Sequence, residues 1–132
     1  MNRAMGIAQI GVRATGTILL VMGILIWTGS GEPLVRAHAA IGVVFVLSLW
    51  AVAGIGLRAG VGAVLPARLL VWGLVIAWFG MAQHGVMVGR WHWVIRVLHV
   101  AVGLIAIGLS EAVGARARKG ASPAAPGAAR AP

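Results

Sequence analysis

The sequence predicts an all-α integral membrane protein, an antiparallel bundle of four transmembrane helices with both termini in the cytoplasm. Three observations support this class. The 132 residues are 61% hydrophobic and only 10% charged, whereas a soluble domain carries about 25% charged residues. Four apolar stretches each approach the roughly 20 residues that are needed to cross a bilayer. The connections between them are short, which favours antiparallel packing of consecutive helices.

The apolar stretches define one transmembrane domain over residues 1–113. The four helices are predicted at about 13–28, 34–57, 67–88 and 91–113. Pro33 suits the start of the second helix, and Trp91 and Trp93 are placed as interfacial anchors before the fourth. Residues 114–132 are basic and rich in alanine and proline, so we expect a disordered tail that cannot bury a core.

The basic residues predict the orientation of the bundle. The net charge is +9, yet the cations are scattered at the ends of the apolar runs, which argues against nucleic-acid binding. With both termini inside, eight cations flank the inner helix ends: Arg3, Arg13, Arg58, Arg68, Arg116, Arg118, Lys119 and Arg130. Only Arg36, Arg90 and Arg96 flank the outer ends. The positive-inside rule therefore predicts cytoplasmic termini, in what we interpret as a bacterial inner membrane.

Three histidines are predicted to share one layer near the outer ends of three helices. At about 1.5 Å per residue, His38 and His84 lie roughly 6 Å inside their helices and His99 roughly 9 Å. Ionisable residues at membrane depth are candidates for function. The alternative is that they only form hydrogen bonds between helices. His92 lies at the boundary, where we expect water.

A glycine accompanies each of these histidines on the same helix face. Gly42 and Gly103 follow His38 and His99 by four residues, and Gly80 precedes His84 by four, so each glycine lies one turn deeper. This spacing predicts that each glycine leaves free space next to an imidazole ring. The alternative is that these glycines are ordinary surfaces for helix packing.

Two neutral histidines that face each other across a bundle can be the axial ligands of a b-type haem. His38 and His99 are the predicted iron ligands, and the neighbouring glycines leave room for a flat macrocycle. Arg36 and Arg96 lie outward of them, where they can pair with the haem propionates. The alternative for both arginines is interfacial contact with lipid phosphate.

A quinone is the predicted partner of such a haem, with one-electron transfer to an acceptor at the outer face. Gln83 and His84 are candidates to bind a quinone carbonyl, and His84 is a candidate to replace one of the two haem ligands. Gln83 can alternatively form a hydrogen bond between helices. Further expected partners are the lipid bilayer and a second copy of the chain or a larger membrane complex.

This pattern resembles small four-helix membrane cytochromes b, either of the cytochrome b561 type or one four-helix half of a haem A synthase. The resemblance implies haem ligands on the second and fourth helices, which here are His38 and His99. The chain has no second histidine layer at the inner side, so it implies one haem at most. The acidic residue that haem A synthases place near their histidine is absent.

Three other classes remain open. The histidines can instead bind copper or zinc, since imidazole suits both metals, although no carboxylate or thiolate joins them. A small transporter is a second alternative, but the first helix lacks the acidic residue that small multidrug exporters need. Glu111 is the one acid within a predicted helix, and Arg116 is its possible ion-pair partner. The third is an accessory or assembly subunit without chemistry of its own. The chain has no cysteine, which excludes disulfides and iron–sulfur clusters.

Overall fold

The computed structural model describes residues 2–29, 31–82, 85 and 89–120, apart from the side chains of Asn2 and Glu32. Within these residues the chain forms four α-helices and a short 3-10 helix, Glu32–Leu34. The α-helices are α1 (Asn2–Trp27), α2 (Val35–Arg58), α3 (Val64–Ala82) and α4 (His92–Gly120). All four are long and apolar enough to span a membrane. The predicted all-α bundle of four membrane-length helices is therefore confirmed.

The first and last helices of the chain are longer than predicted. Helix α1 begins at Asn2 and α4 continues to Gly120, so residues 114–120 belong to a helix and not to a disordered tail. Alanine and arginine in this segment favour helix, and Gly114 and Ala117 are buried, which adds packing energy to that preference. The rest of the predicted tail, 121–132, lies outside the described residues.

The helices form a ring around a small apolar core. Each helix packs against its two neighbours in the ring, and α2 also contacts α4 across the centre. Val12, Leu49, Leu69 and Val113 are completely buried inside this ring. The outer surface is apolar as well, with exposed side chains on every helix: Ile10, Val43, Trp78 and Leu104 are examples. Such a surface suits lipid as the surrounding solvent.

Glycines let the helices approach each other closely at the core. A Cβ atom at Gly73 would lie 2.5 Å from Nε1 of Trp50, and one at Gly56 would lie 2.5 Å from Cγ1 of Val113. Neither contact is sterically possible, so both positions require glycine at the present helix spacing. Hydrogen bonds fix the helices further, since Trp72 donates its Nε1–H to the Val102 carbonyl oxygen at 2.9 Å.

The bundle has two chemically different ends. The end of α1 at Trp27 and the starts of α2 and α4 form what we call the histidine end. The start of α1, the end of α4 and the α2–α3 connection form the basic end. Gly29 and Gly60 follow α1 and α2 with positive φ angles of 83° and 72°, a conformation that glycine adopts without steric cost.

Candidate cofactor site

His38 and His99 lie side by side at the histidine end. Helices α2 and α4 meet across the centre of the bundle and bring the two ring centroids to 6.3 Å, with the rings tilted by 44°. Nδ1 of each ring is buried and has no hydrogen-bond partner in the described part of the chain. A buried polar atom without a partner costs about 1–3 kcal/mol. Both rings therefore present nitrogen atoms that the protein itself leaves unsatisfied.

The separation of the two rings is short enough for both to bind one metal ion. Bonds between imidazole nitrogen and a metal are about 2.0–2.1 Å long, so the centroids of two rings that share an ion lie at most about 6.5 Å apart. The observed 6.3 Å is within this limit.

Glycines on the two flanking helices lie directly beside the imidazole rings. A Cβ atom at Gly23 of α1 would contact Cε1 of His38 at 3.7 Å, and one at Gly80 of α3 would contact Cε1 of His99 at 3.9 Å. Phe79 also stacks on His99, with ring centroids 5.8 Å apart and planes within 19°. Helices α1 and α3 therefore hold the two rings from opposite sides.

Two glycines one turn deeper than the rings have no close neighbours. Within the described residues, no atom comes within 4 Å of a Cβ built at Gly42 or Gly103. These glycines do not bring helices into contact, in contrast to Gly56 and Gly73 in the core. The space lies on the same helix faces as His38 and His99, where a flat group between the rings would need it.

The two arginines near the site have different surroundings. The Arg96 guanidinium lies over the Trp27 ring, 6.0 Å from its centroid, so α4 contacts the end of α1 there. Arg36 is exposed at the start of α2. Gln83 and His84, which the sequence places in the same layer, lie outside the described residues.

A polar network at the basic end was missed by the sequence analysis. Arg13 donates two hydrogen bonds to Glu111, from Nε to Oε1 and from Nη2 to Oε2, both at 2.8 Å. Gln9 donates from Nε2 to Glu111 at 3.2 Å, and Arg118 donates from Nη1 to Gln9 Oε1 at 2.8 Å. We call these four residues the basic-end network.

The predicted partner of Glu111 was wrong. Arg116 is exposed on another face of α4, while Arg13 reaches Glu111 from α1. Glu111 and Arg116 are five residues apart on α4, so their side chains point about 140° away from each other. Only the packing of α1 against α4 decides which arginine meets the acid, and a pattern within one helix does not contain that information.

The described residues contain no group of three or more metal-binding side chains. His38 and His99 are thus a pair, and a four-coordinate zinc site would need further ligands. A copper or zinc site with three histidines depends on His84, which lies outside the described ranges.

The fold and the site together define a class: a four-helix protein of membrane-spanning length with two histidines side by side near one end. Comparison of the chain with protein-family models, with curated proteins and with solved structures finds no match.

Proposed function

We propose that this chain is a membrane haem-b protein in which His38 and His99 would hold the iron, and that it carries single electrons between a membrane quinone and an acceptor at the histidine end. The observation that carries the proposal is the pair of half-buried imidazoles at 6.3 Å, each with an unpartnered nitrogen. A bound haem would supply one-electron redox chemistry there. The excess of cations at the other end supports our further proposal that the site lies in the outer leaflet of a bacterial inner membrane, with both termini cytoplasmic.

Each neighbouring residue has a role in this proposal. Gly23 and Gly80 lie beside the two rings, and a macrocycle would extend into the space beside Gly42 and Gly103. Phe79 holds the plane of His99 by stacking. Arg36 and Arg96 would supply cations toward the wet edge, where carboxylates of the cofactor would lie.

A visible spectrum of the detergent-purified protein tests the proposal. We expect a Soret band and a reducible α-band in protein from haem-replete cells, and we expect His38→Ala and His99→Ala each to abolish or shift them. His92→Ala is the matched control, because His92 lies at the start of α4 and outside the paired rings. Colourless wild-type protein, or equal loss in the control, would overturn the proposal.

The spectrum also separates the alternative classes. Bands that survive His38→Ala but disappear in His84→Ala would assign the second ligand to His84. Copper or zinc at one atom per chain, measured by elemental analysis of colourless protein, would favour a metal site. Protein without haem or metal would favour an accessory subunit or a transporter.

A further inference from the structure

We propose that a groove on α1 beside the basic-end network binds the phosphodiester of an anionic phospholipid. The groove is a shallow, open depression of about 410 Å³ on the exposed face of α1, and it is lined by Ile10, Arg13, Ala14 and Thr17. These residues lie on consecutive turns of one helix face. The proposal concerns the end of the bundle opposite the histidines, and it does not depend on the proposed function.

Arg13 has hydrogen-bond donors that its ion pair with Glu111 does not use. Its Nε and one N–H of Nη2 bind Glu111, whereas a guanidinium carries five N–H groups. The remaining three have no acceptor within the described residues. The Arg13 side chain is 58% exposed, so these donors face the surface of the bundle. An N–H group without an acceptor is costly in an apolar surrounding, so an oxygen from the membrane is expected there.

The basic-end network also carries a net positive charge, which favours an anionic ligand. Arg13 and Arg118 bring two cations and Glu111 one anion, so the network carries a charge of +1. A phosphodiester carries one negative charge and would neutralise it. A neutral carbonyl, such as that of a quinone, would leave the charge uncompensated. Basic pockets between membrane helices commonly bind anionic head groups for this reason.

The depth of the Arg13–Glu111 ion pair in the membrane also suits a lipid phosphate. Glu111 lies 19 residues from the start of α4 at His92, or about 28 Å along the helix, against a hydrocarbon core of about 30 Å. The backbone of Arg13 lies somewhat deeper, about 21 Å along α1 from Trp27. Its side chain, however, points back toward the start of α1. The ion pair therefore lies near the boundary of the hydrocarbon, within reach of lipid phosphate. Ala14 and Thr17 continue the groove inward, where an acyl chain would lie.

Native mass spectrometry of the full chain, titrated with phosphatidylglycerol or with phosphatidylcholine, tests the site. We expect one phosphatidylglycerol to bind with about fivefold preference, because the network carries one net positive charge. The double variant Arg13→Gln/Glu111→Gln removes the guanidinium donors without changing the net charge. We expect most of the preference to be lost, because the remaining cation, Arg118, does not line the groove. Ala14→Leu fills the groove and leaves the ion pair intact, and we expect at least about fivefold weaker binding.

Two matched controls keep the test specific. Ala51→Leu places the same side chain on an exposed position of α2, and Arg68→Gln removes an exposed cation near the start of α3. Both are expected to bind phosphatidylglycerol like the wild type. Equal weakening in a control, or unchanged binding in Ala14→Leu and in the double variant, would overturn the proposal. So would displacement of the lipid by a quinone analogue, which would assign the groove to a quinone.

Discussion

At the basic end, Gln9 is only 3% exposed, and both the nitrogen and the oxygen of its amide are hydrogen-bonded. At the histidine end, His38 and His99 each bury a nitrogen without a partner. Among the described residues, the bundle therefore satisfies a buried polar side chain at the basic end, whereas two buried nitrogens at the histidine end have no partner. Unsatisfied polar groups in a folded protein are often associated with function. The contrast supports a structural role for the contact between α1 and α4 at one end and the proposed ligand site at the other.

Glycines show the same contrast. Gly56, toward the basic end, has no room for a Cβ atom because Val113 packs against it, whereas Gly42 and Gly103 adjoin open space. Gly56 thus lies at a close helix contact, whereas Gly42 and Gly103 do not. Equal substitutions should therefore give different results at these positions, which makes the comparison testable.

The largest expected effect is at Gly56. Gly56→Ala should destabilise the protein by about 1–3 kcal/mol, because overpacking forces α2 and α4 apart. Gly103→Ala should change the free energy of unfolding by less than about 0.5 kcal/mol, while it lowers the amount of haem retained. Unfolding in mixed micelles with increasing dodecyl sulfate, followed by tryptophan fluorescence, measures the first quantity, and the Soret absorbance measures the second. Equal destabilisation at the two glycines would remove the distinction between the ends.

Substitution of Glu111, the acid of the basic-end network, should have the next largest effect on the free energy of unfolding. Glu111→Ala leaves the Arg13 and Gln9 donors without their acceptor, so we expect a clear loss of stability in the same micelle assay. The loss should be smaller than at Gly56, because Arg13 is half-exposed and can reach toward the head groups. Glu111→Gln retains an acceptor oxygen and should recover part of the loss. An unaffected Glu111→Ala variant would show that the network does not hold α1 to α4.

The two ends also differ in how much of them the sequence predicts. Hydropathy and helix length predicted four helices, and counting residues from the helix ends placed His38 and His99 at one depth. The basic-end network depends on how each helix is rotated about its axis, and one residue of error rotates a side chain by about 100°. That is why Arg116 was chosen in place of Arg13. Phe79 was missed for the same reason, since its stacking on His99 depends on the packing of α3 against α4.

Removing an imidazole should stabilise the protein that lacks a cofactor. His38→Leu replaces a ring that has an unpartnered buried nitrogen with an apolar side chain of similar volume, and we expect about 1 kcal/mol more stability. The same variant should fail to bind haem, so stability and function would change in opposite directions. His92→Leu is the control and should change neither quantity beyond about 0.5 kcal/mol. A destabilised His38→Leu apoprotein would show that the ring is a packing element.

The smallest expected effect concerns Arg96, whose two roles can be separated. In the protein without haem, Arg96→Gln removes only the contact with Trp27, which is worth about 0.5–1 kcal/mol at an exposed site. In the haem-loaded protein the same change also removes a cation from the edge of the site, so the reduction potential should fall, because a nearby positive charge favours the reduced iron. Arg90→Gln is the matched control, since Arg90 lies over Trp91 at 5.3 Å and outside the site. A potential that falls equally in both variants would assign the effect to general surface charge, and a fall confined to Arg96→Gln would place this arginine beside the cofactor.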